Sequence, residues 1–439
     1  MTNRGLENTG DILILPLKYA EDLFKLPERI ANQEEHIRSR LESKILKITS
    51  HNDFLLNVLR SDLNQQLPRL NQVLSDAAHH RVLEILKEPT DGWTEFAVLP
   101  AMTQISIYVL SNVFVGPELA RNPEWLDISV RFTKDLFGAA HALKRYPQFL
   151  RPLAKYRCPE AMAVVDDIRK VSDLLKPIIS ARQEWRDKGA VVEQDDFVHM
   201  TVNKAPKWKH DNLEFLVHTE LQVVMASLNN TSASLVHFLY DITALCPQVI
   251  PELRAEIQSA LEKTNGAWSS SALFNMKLLD SVMKESLRFN PNLMITPRKL
   301  KKAVRLSDGT ELPAGVNVCI AGYGALQDGE FYKHPAKFDP YRFLKLRTGE
   351  VEDPLHHSNP EQYQFVSTTK QNMTFGYGVH ACPGRFVANT VMKMIIGNIL
   401  IHYDIKLPDW VQGRYQNIMH GHFISPDPSK TLMIRKRND

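Results

Sequence analysis

Cysteine is scarce in this sequence. The chain of 439 residues carries four, Cys158, Cys246, Cys319 and Cys382, far apart and with no C-x-x-C among them. That spacing excludes a disulfide framework and a zinc knuckle, and it suits a reducing compartment. Three of the four read as packing residues. An excess of one charge is missing too. The net charge is +3 and no long block of like charge occurs, which argues against a nucleic-acid partner. No run of 18 apolar residues is present, so no transmembrane helix is expected, and the N-terminus lacks a signal-peptide pattern. Internal repeats, low-complexity tracts, βαβ alternation and a linker that demands a domain split are also lacking. What remains is 44% hydrophobic and 23% charged, an ordinary globular composition that can bury a large core. Length alone allows two or three domains, or one large one.

Helical periodicity dominates what is there. KYAEDLFKLP, EEHIRSRLESKILKI, LNQVLSDAAHHRVLEILK and CPEAMAVVDDIRKVSDLLKPIISARQEWRDKG read as amphipathic helices. Strand signals cluster at GDILILP, at AVRLSDGTELPAGVNVCIAGY with Asp308-Gly309 as a hairpin turn, and in the C-terminal tail. The fold class is therefore mainly α with small β-sheets. GDILILP starts only nine residues into the chain, and a strand needs a partner, so upstream material is expected to be missing. One helix is unusually long. Asp211 reads as its cap, with Glu214 completing a capping box, and the helix is expected from Asn212 to about Leu245, apolar almost all round and buried. Its middle, ASLNNTSAS at 226–234, is rich in small, hydroxyl and amide side chains. That suits either close interhelix packing or a helix bent around a ligand.

The stretch TFGYGVHACPGR at 374–385 admits two readings. Gly376, Gly378 and Ala381 fit the dinucleotide fingerprint G-x-G-x-x-A, with Asp404 placed to meet a ribose. Yet FVSTTKQNM is a poor core strand, Pro383 sits awkwardly in a phosphate turn, and the short tail leaves no room for a Rossmann half. In the other reading, Gly376, Gly378 and Gly384 let the backbone turn sharply and approach a flat ligand. Cys382 then stands just before the helical stretch FVANTVMKMIIGNIL, where helix-terminal N–H groups lower a thiol pKa. Without a second cysteine nearby, such a thiolate is a nucleophile or a single axial metal ligand. His380 would point away in a tight turn, so haem iron with one thiolate fits best. In KESLRFNP, Glu285 and Arg288 share one helix face; alone the pair reads as a surface salt bridge. Pro297-Arg298, the hairpin, and FDPYRF with Arg342 follow.

Taken together, these residues resemble the cytochromes P-450. FGYGVHACPG is similar to the haem-binding loop F-x-x-G-x-x-x-C-x-G, KESLR to the E-x-x-R helix, and FDPYRF to the later arginine motif, in the right order. LSDGTELPAG, YPQFLRPL and HACPGRF look like fungal microsomal enzymes of secondary metabolism. The resemblance implies a single domain over residues 1–439, with haem b between a long distal helix and the helix after the cysteine loop. It implies Cys382 as the axial thiolate to iron, with Phe375 packed beside it and Gly376 in the cofactor-binding loop. It puts His380 and Arg298 on the haem propionates, and Arg60 too, although the usual Trp of that helix is missing. It makes Glu285, Arg288 and Arg342 a buried ion-pair network. The implied activity is oxidation of a small apolar substrate with O2, the electrons coming from an NADPH-cytochrome P-450 reductase. Met225, Leu228 and Asn229, with Leu293, Ile295 and Thr296, would wall a pocket for a terpenoid or alkaloid.

Two features depart from the family pattern. Where the family carries an acid–alcohol pair in its distal helix, this chain has Asn229 and Asn230, followed by Thr231. Proton supply to oxygen then cannot follow the usual carboxylate–hydroxyl route; Thr231, Ser227, an ordered water or a substrate hydroxyl would substitute. Ordinary hydroxylation stays open beside desaturation, cyclisation, coupling or isomerisation, and beside a non-catalytic haem protein. The second departure is the missing membrane anchor and opening helix. The resemblance implies an endoplasmic-reticulum membrane location for an anchored form, and a cytosolic monomer for this chain as it stands. RYPQFLRPLAKY, at 145–156, mixes aromatic and basic residues and suits either a peripheral membrane contact or a packed loop.

Overall fold

The computed structural model describes residues 3–7, 10–48, 53–87, 92–189, 196–206, 212–292 and 297–437. They divide into two compact units. One comprises Met1–His36, Val82–Met102 and Asn230–Asp439; the other comprises Ile37–Arg81 and Thr103–Asn229. The architecture is mainly α with small sheets, and all sheets of the described residues lie in the first unit.

The strands are β1 (Asn3–Glu7), β2 (Gly10–Leu15), β3 (Ala31–Asn32), β4 (Thr94–Ala97), β5 (Arg298–Leu300) and β6 (Val304–Arg305). They continue with β7 (Glu311–Leu312), β8 (Asn317–Ile320), β9 (Tyr403–Lys406), β10 (Ile418–His420), β11 (Phe423–Ser425) and β12 (Thr431–Lys436). The largest sheet has the order β1-β2-β8-β5-β3. The strand in GDILILP has its partners within the chain: β1 runs antiparallel on one side and β8 parallel on the other. The parallel partner lies some 300 residues downstream, so local sequence gives no hint of it.

The hairpin turn falls at Asp308-Gly309 between β6 and β7, with Gly309 at φ +87°. Asp308 does more than turn the chain. Its carboxylate accepts from the Thr310 N–H, the Tyr19 hydroxyl and Lys18, which clasps the hairpin to the first helical turns. Leu15, Ala20, Leu23, Leu300, Val318 and Ile320 close a small core beneath this sheet.

The second unit is helical. Pro123–Lys144 and Pro159–Asp187 pack together, pinned by Arg131 on buried Asp167 at 2.5 and 2.6 Å. Asp196 caps the helix Phe197–Lys204 through the His199 N–H and also accepts from Arg182. The periodic stretch at 34–48 does not form one helix. Glu42 and Lys47 adopt left-handed conformations, so it breaks into Gln33–Arg40 and Ser43–Leu46. A left-handed residue ends the hydrogen-bond ladder whatever its side chain favours, and apolar spacing does not report it.

The long helix spans Leu213–Ala244 without interruption. Its cap differs from expectation: the Asn212 side chain accepts from the Phe215 N–H at 2.9 Å. Asp211 lies outside the described residues. Asn and Asp cap equally well, so sequence did not separate the two neighbours. Most of the helix is buried, but Ala226 is exposed, and so are Asn229 and Asn230, three and four residues after it on the same face.

Candidate functional site

The cysteine loop is built by its glycines and closed by its main chain. Gly376 sits at φ +76° and Gly378 at +61°, a region that only glycine enters at little cost. A Cβ on Gly376 would come within 2.7 Å of the His380 carbonyl oxygen, so that position is closed to side chains on both counts. The Cys382 N–H donates to the Phe375 carbonyl at 2.7 Å, and Gly376 N–H to Met373 at 2.8 Å. Phe375 meets Phe365 edge-on at 5.1 Å. Gly384 then caps the helix Arg385–His402. Arg385 ties the loop down from behind, donating to the carbonyls of Cys382 and Val366.

Of the four cysteines, Cys382 alone is exposed. Its sulfur receives N–H groups from Gly384 and Arg385, and the Arg385 charge adds to them; all three favour thiolate. Although the residue as a whole is exposed, atoms packed around the sulfur desolvate it, and this outweighs them, so the thiol pKa is raised, not lowered as expected. Helix-terminal amides stabilise an anion, but desolvation penalises it more until a cation arrives. A metal ion bound to the sulfur would supply that cation and favour the thiolate.

Arg298, on β5, makes the second observation. It is 0% exposed, and none of its three guanidinium nitrogens has a hydrogen-bond partner among the described residues. Burial pushes its pKa down to about 10, while Glu28 pulls it up. The Phe24 ring lies 4.8 Å beneath its guanidinium carbon. A buried cation without an acceptor is costly, and anionic oxygens on a ligand would offset that cost. His380 stands near the same acidic neighbour, with Nδ1 3.4 Å from the Glu28 carboxylate. Phe24 meets Tyr377 of the loop edge-on at 5.5 Å. Sequence reasoning missed Phe24, Glu28 and Tyr377, because the first two are about 350 residues from the cysteine.

The E-x-x-R helix, Lys277–Phe289, brings Glu285 and Arg288 together, and Arg342 joins them from the start of the Arg342–Thr348 helix. Glu285 accepts from Arg288 at 2.8 and 2.9 Å, from Arg342 at 3.0 Å and from the Asp339 N–H at 3.0 Å. Arg288 also reaches the carbonyls of Leu326 and Pro335, and Arg342 those of Lys333 and Lys337. Glu285 and Arg288 are fully buried, so the surface-pair reading is excluded. Lys284 of the same helix is buried too and donates to the carbonyls of Gln364 and Ser367, just ahead of the cysteine loop.

On the long helix, Asn229 and Asn230 are exposed, Met225 is half-buried, and Leu228 and Thr231 are buried. The Ser227 hydroxyl donates to the Val224 carbonyl within the helix. Asn230, Thr231, Cys382, His380, Arg298 and the Glu285 cluster belong to the first unit; Met225, Leu228, Asn229 and Arg60 belong to the second. Arg60 is exposed on the π-helical turn Leu59–Leu63. Leu293, Ile295 and Thr296 lie outside the described residues.

A glycine-built loop presenting one exposed thiol at a helix N-terminus, in one unit with a buried guanidinium that has no hydrogen-bond acceptor among the described residues, suits a haem-thiolate protein. Comparison with known proteins gives the family. The family model described as Cytochrome P450 matches residues 29–433. The chain is 31% identical to cytochrome P450 monooxygenase braC of Annulohypoxylon truncatum, over 97% of this chain and 84% of that one. It is 32% identical to cytochrome P450 monooxygenase AtmP of Aspergillus flavus, over 99% and 82%. Ent-kaurene oxidase P450-4 of Gibberella fujikuroi is 27% identical over 98% and 83%. The chain belongs to the cytochrome P450 family, and it is an oxidoreductase of the monooxygenase kind. Its cofactor is haem with a cysteine-ligated iron, and Cys382 occupies the position of that cysteine. Eukaryotic enzymes of the family generally use O2 and a separate redox partner. Among the described residues, no helix is long and apolar enough to cross a membrane.

Proposed function

We propose that this chain is a single-domain, monomeric monooxygenase that oxidises an apolar secondary metabolite of terpenoid or alkaloid type. An NADPH-fed flavoprotein reductase provides its electrons. The observation that carries this reading is the buried guanidinium of Arg298, without an acceptor among the described residues, in the same unit as the exposed Cys382. When bound, the haem supplies the redox chemistry that activates dioxygen. The chain's own residues do the rest. The Gly384 and Arg385 amides donate to the Cys382 sulfur and moderate its electron density. Arg298 holds a propionate by charge-assisted hydrogen bonds, with His380 beside it. Phe375 packs against the sulfur side. Glu285, Arg288 and Arg342 lock their helix to the segment 326–342, and Lys284 of that helix holds the stretch just ahead of the loop.

The substrate class is supported by fungal relatives, one of them named for ent-kaurene, and by the exposed Ala226–Asn229–Asn230 face. Titration of the purified haem protein with diterpenes and apolar alkaloids is expected to give a blue-shifted Soret band for at least one of them. No shift with any compound, up to its solubility, removes this class. The absence of an acid at Asn229 favours a second reading, in which the same site performs desaturation, cyclisation, coupling or isomerisation. Isomerisation would turn over without NADPH.

The segment at 145–156 is proposed as a peripheral membrane contact. Phe149 is 78% exposed, Leu153 68% and Tyr156 69%, with Arg145 and Arg157 exposed beside them. Large apolar side chains flanked by cations suit a headgroup boundary. The double variant Phe149→Ser, Leu153→Ser is expected to lower the fraction that floats with anionic phospholipid vesicles by about tenfold, given the apolar area withdrawn from lipid. Equal flotation of the variant and the native chain would remove the contact.

A further inference from the structure

The last turns of the long helix carry a polar stripe. Asn230, Ser234, His237 and Asp241 recur at intervals of four, three and four residues, so they share one face. The Asp241 end is heavily fixed. Its carboxylate accepts from Ser286 at 2.5 Å, from Asn290 at 3.0 Å and from Arg414. Arg414 also donates to His237 Nδ1 at 3.1 Å and to Asn417 at 2.9 Å, and Asn417 donates back to Asn290 at 2.7 Å. Two residues beyond Asn290, the chain reaches the other end of the stripe. Asn292 Nδ2 donates to the Asn230 carbonyl at 3.1 Å and to Ser234 Oγ at 2.9 Å. A carbonyl can only accept, so the amide nitrogen must be the atom facing it. The Asn292 carbonyl in turn accepts from the Ile424 N–H of β11 at 3.2 Å. Asn292 therefore joins the helix to the C-terminal hairpin.

The bond to Asn230 has a mechanical consequence. A mid-helix carbonyl already accepts from the amide four residues on. A second donor draws that peptide away from the helix axis and tilts it, which is how side chains bend helices locally. The peptide in question links Asn230 to Thr231, the two residues nearest to where the family keeps its proton-supplying alcohol. We propose that Asn292 is a positioning residue: its two hydrogen bonds set the tilt of the Asn230 peptide, and with it the attitude of Asn230 and Thr231 toward the oxygen being reduced. This inference rests on the reading that this turn of the helix faces the haem. It accounts for a helix that lacks the usual acid yet holds its turn in a defined geometry from outside.

The test uses haem-loaded protein with a fungal reductase. Asn292→Asp keeps the side-chain shape but turns a carboxylate oxygen against the Asn230 carbonyl. Two quantities are read: hydrogen peroxide released per NADPH oxidised, and affinity for 4-phenylimidazole, followed by its Soret shift. The loss of one good hydrogen bond corresponds to a change of about fivefold in each. The reduced carbon-monoxide band should stay in place. A merely structural residue would lower the melting temperature and leave both ratios alone. If Asn292→Asp does not take up haem, Ser234→Ala is read instead; it frees one of the two bonds without adding charge, and a smaller change in the same direction is expected. Unchanged peroxide yield and unchanged 4-phenylimidazole affinity in the haem-loaded variant overturn the proposal. Failure of the underlying reading looks different: Asn230→Thr would then leave the peroxide yield of the native chain unaltered.

Discussion

Glu285→Ala is expected to destabilise the folded chain by about 3–5 kcal/mol, the usual result of stripping one partner from a buried ion pair. The native carboxylate takes four hydrogen bonds, three of them from the guanidinium groups of Arg288 and Arg342. Alanine leaves both cations buried with only main-chain carbonyls as acceptors. That loss is a large share of the roughly 5–15 kcal/mol that holds a domain together. Most of the protein should be recovered without haem, because Lys284 of the same helix holds Gln364 and Ser367, just ahead of the cysteine loop. Haem content and the urea midpoint of purified Glu285→Ala check this. A variant that loads haem fully and unfolds at the native midpoint would show that the cluster is dispensable.

Arg298→Met is expected to separate two properties that usually fall together. Methionine fills similar volume and removes a guanidinium whose nitrogens find no acceptor among the described residues. The haem-free chain should therefore unfold no earlier in urea than the native one. Haem, by contrast, loses a charge-assisted contact. Its transfer to excess apomyoglobin should quicken by at least about tenfold, as expected for a hydrogen bond to a charged group. Transfer at the native rate would show that Arg298 does not hold the cofactor. A lower urea midpoint for the haem-free variant would show that it serves the packing instead.

The parts of this molecule that were legible in sequence are those that local spacing encodes. Glu285 and Arg288 are three apart on one helix, and the glycines around Cys382 mark the turns the loop needs. The mainly helical class follows from apolar periodicity in the same way. What was not legible depends on partners far along the chain. β2 pairs with a strand some 300 residues away. Phe24 and Glu28 meet Arg298 and His380 only after folding. Asn292 reads as an ordinary residue after a helix until Asn230 and Ser234 are brought to it. The thiol of Cys382 shows a different limit: sequence supplied the amides that lower its pKa, but not the burial that raises it further. Competing terms of similar size cannot be ranked from a motif.

The central claim is that Cys382 ligates a haem iron as thiolate. The absorption spectrum of the dithionite-reduced protein under carbon monoxide tests it most directly. A strongly red-shifted Soret band, lost in Cys382→Ser, is the predicted result. A Soret band of the histidine-ligated type, or a protein that takes up no haem, would contradict it.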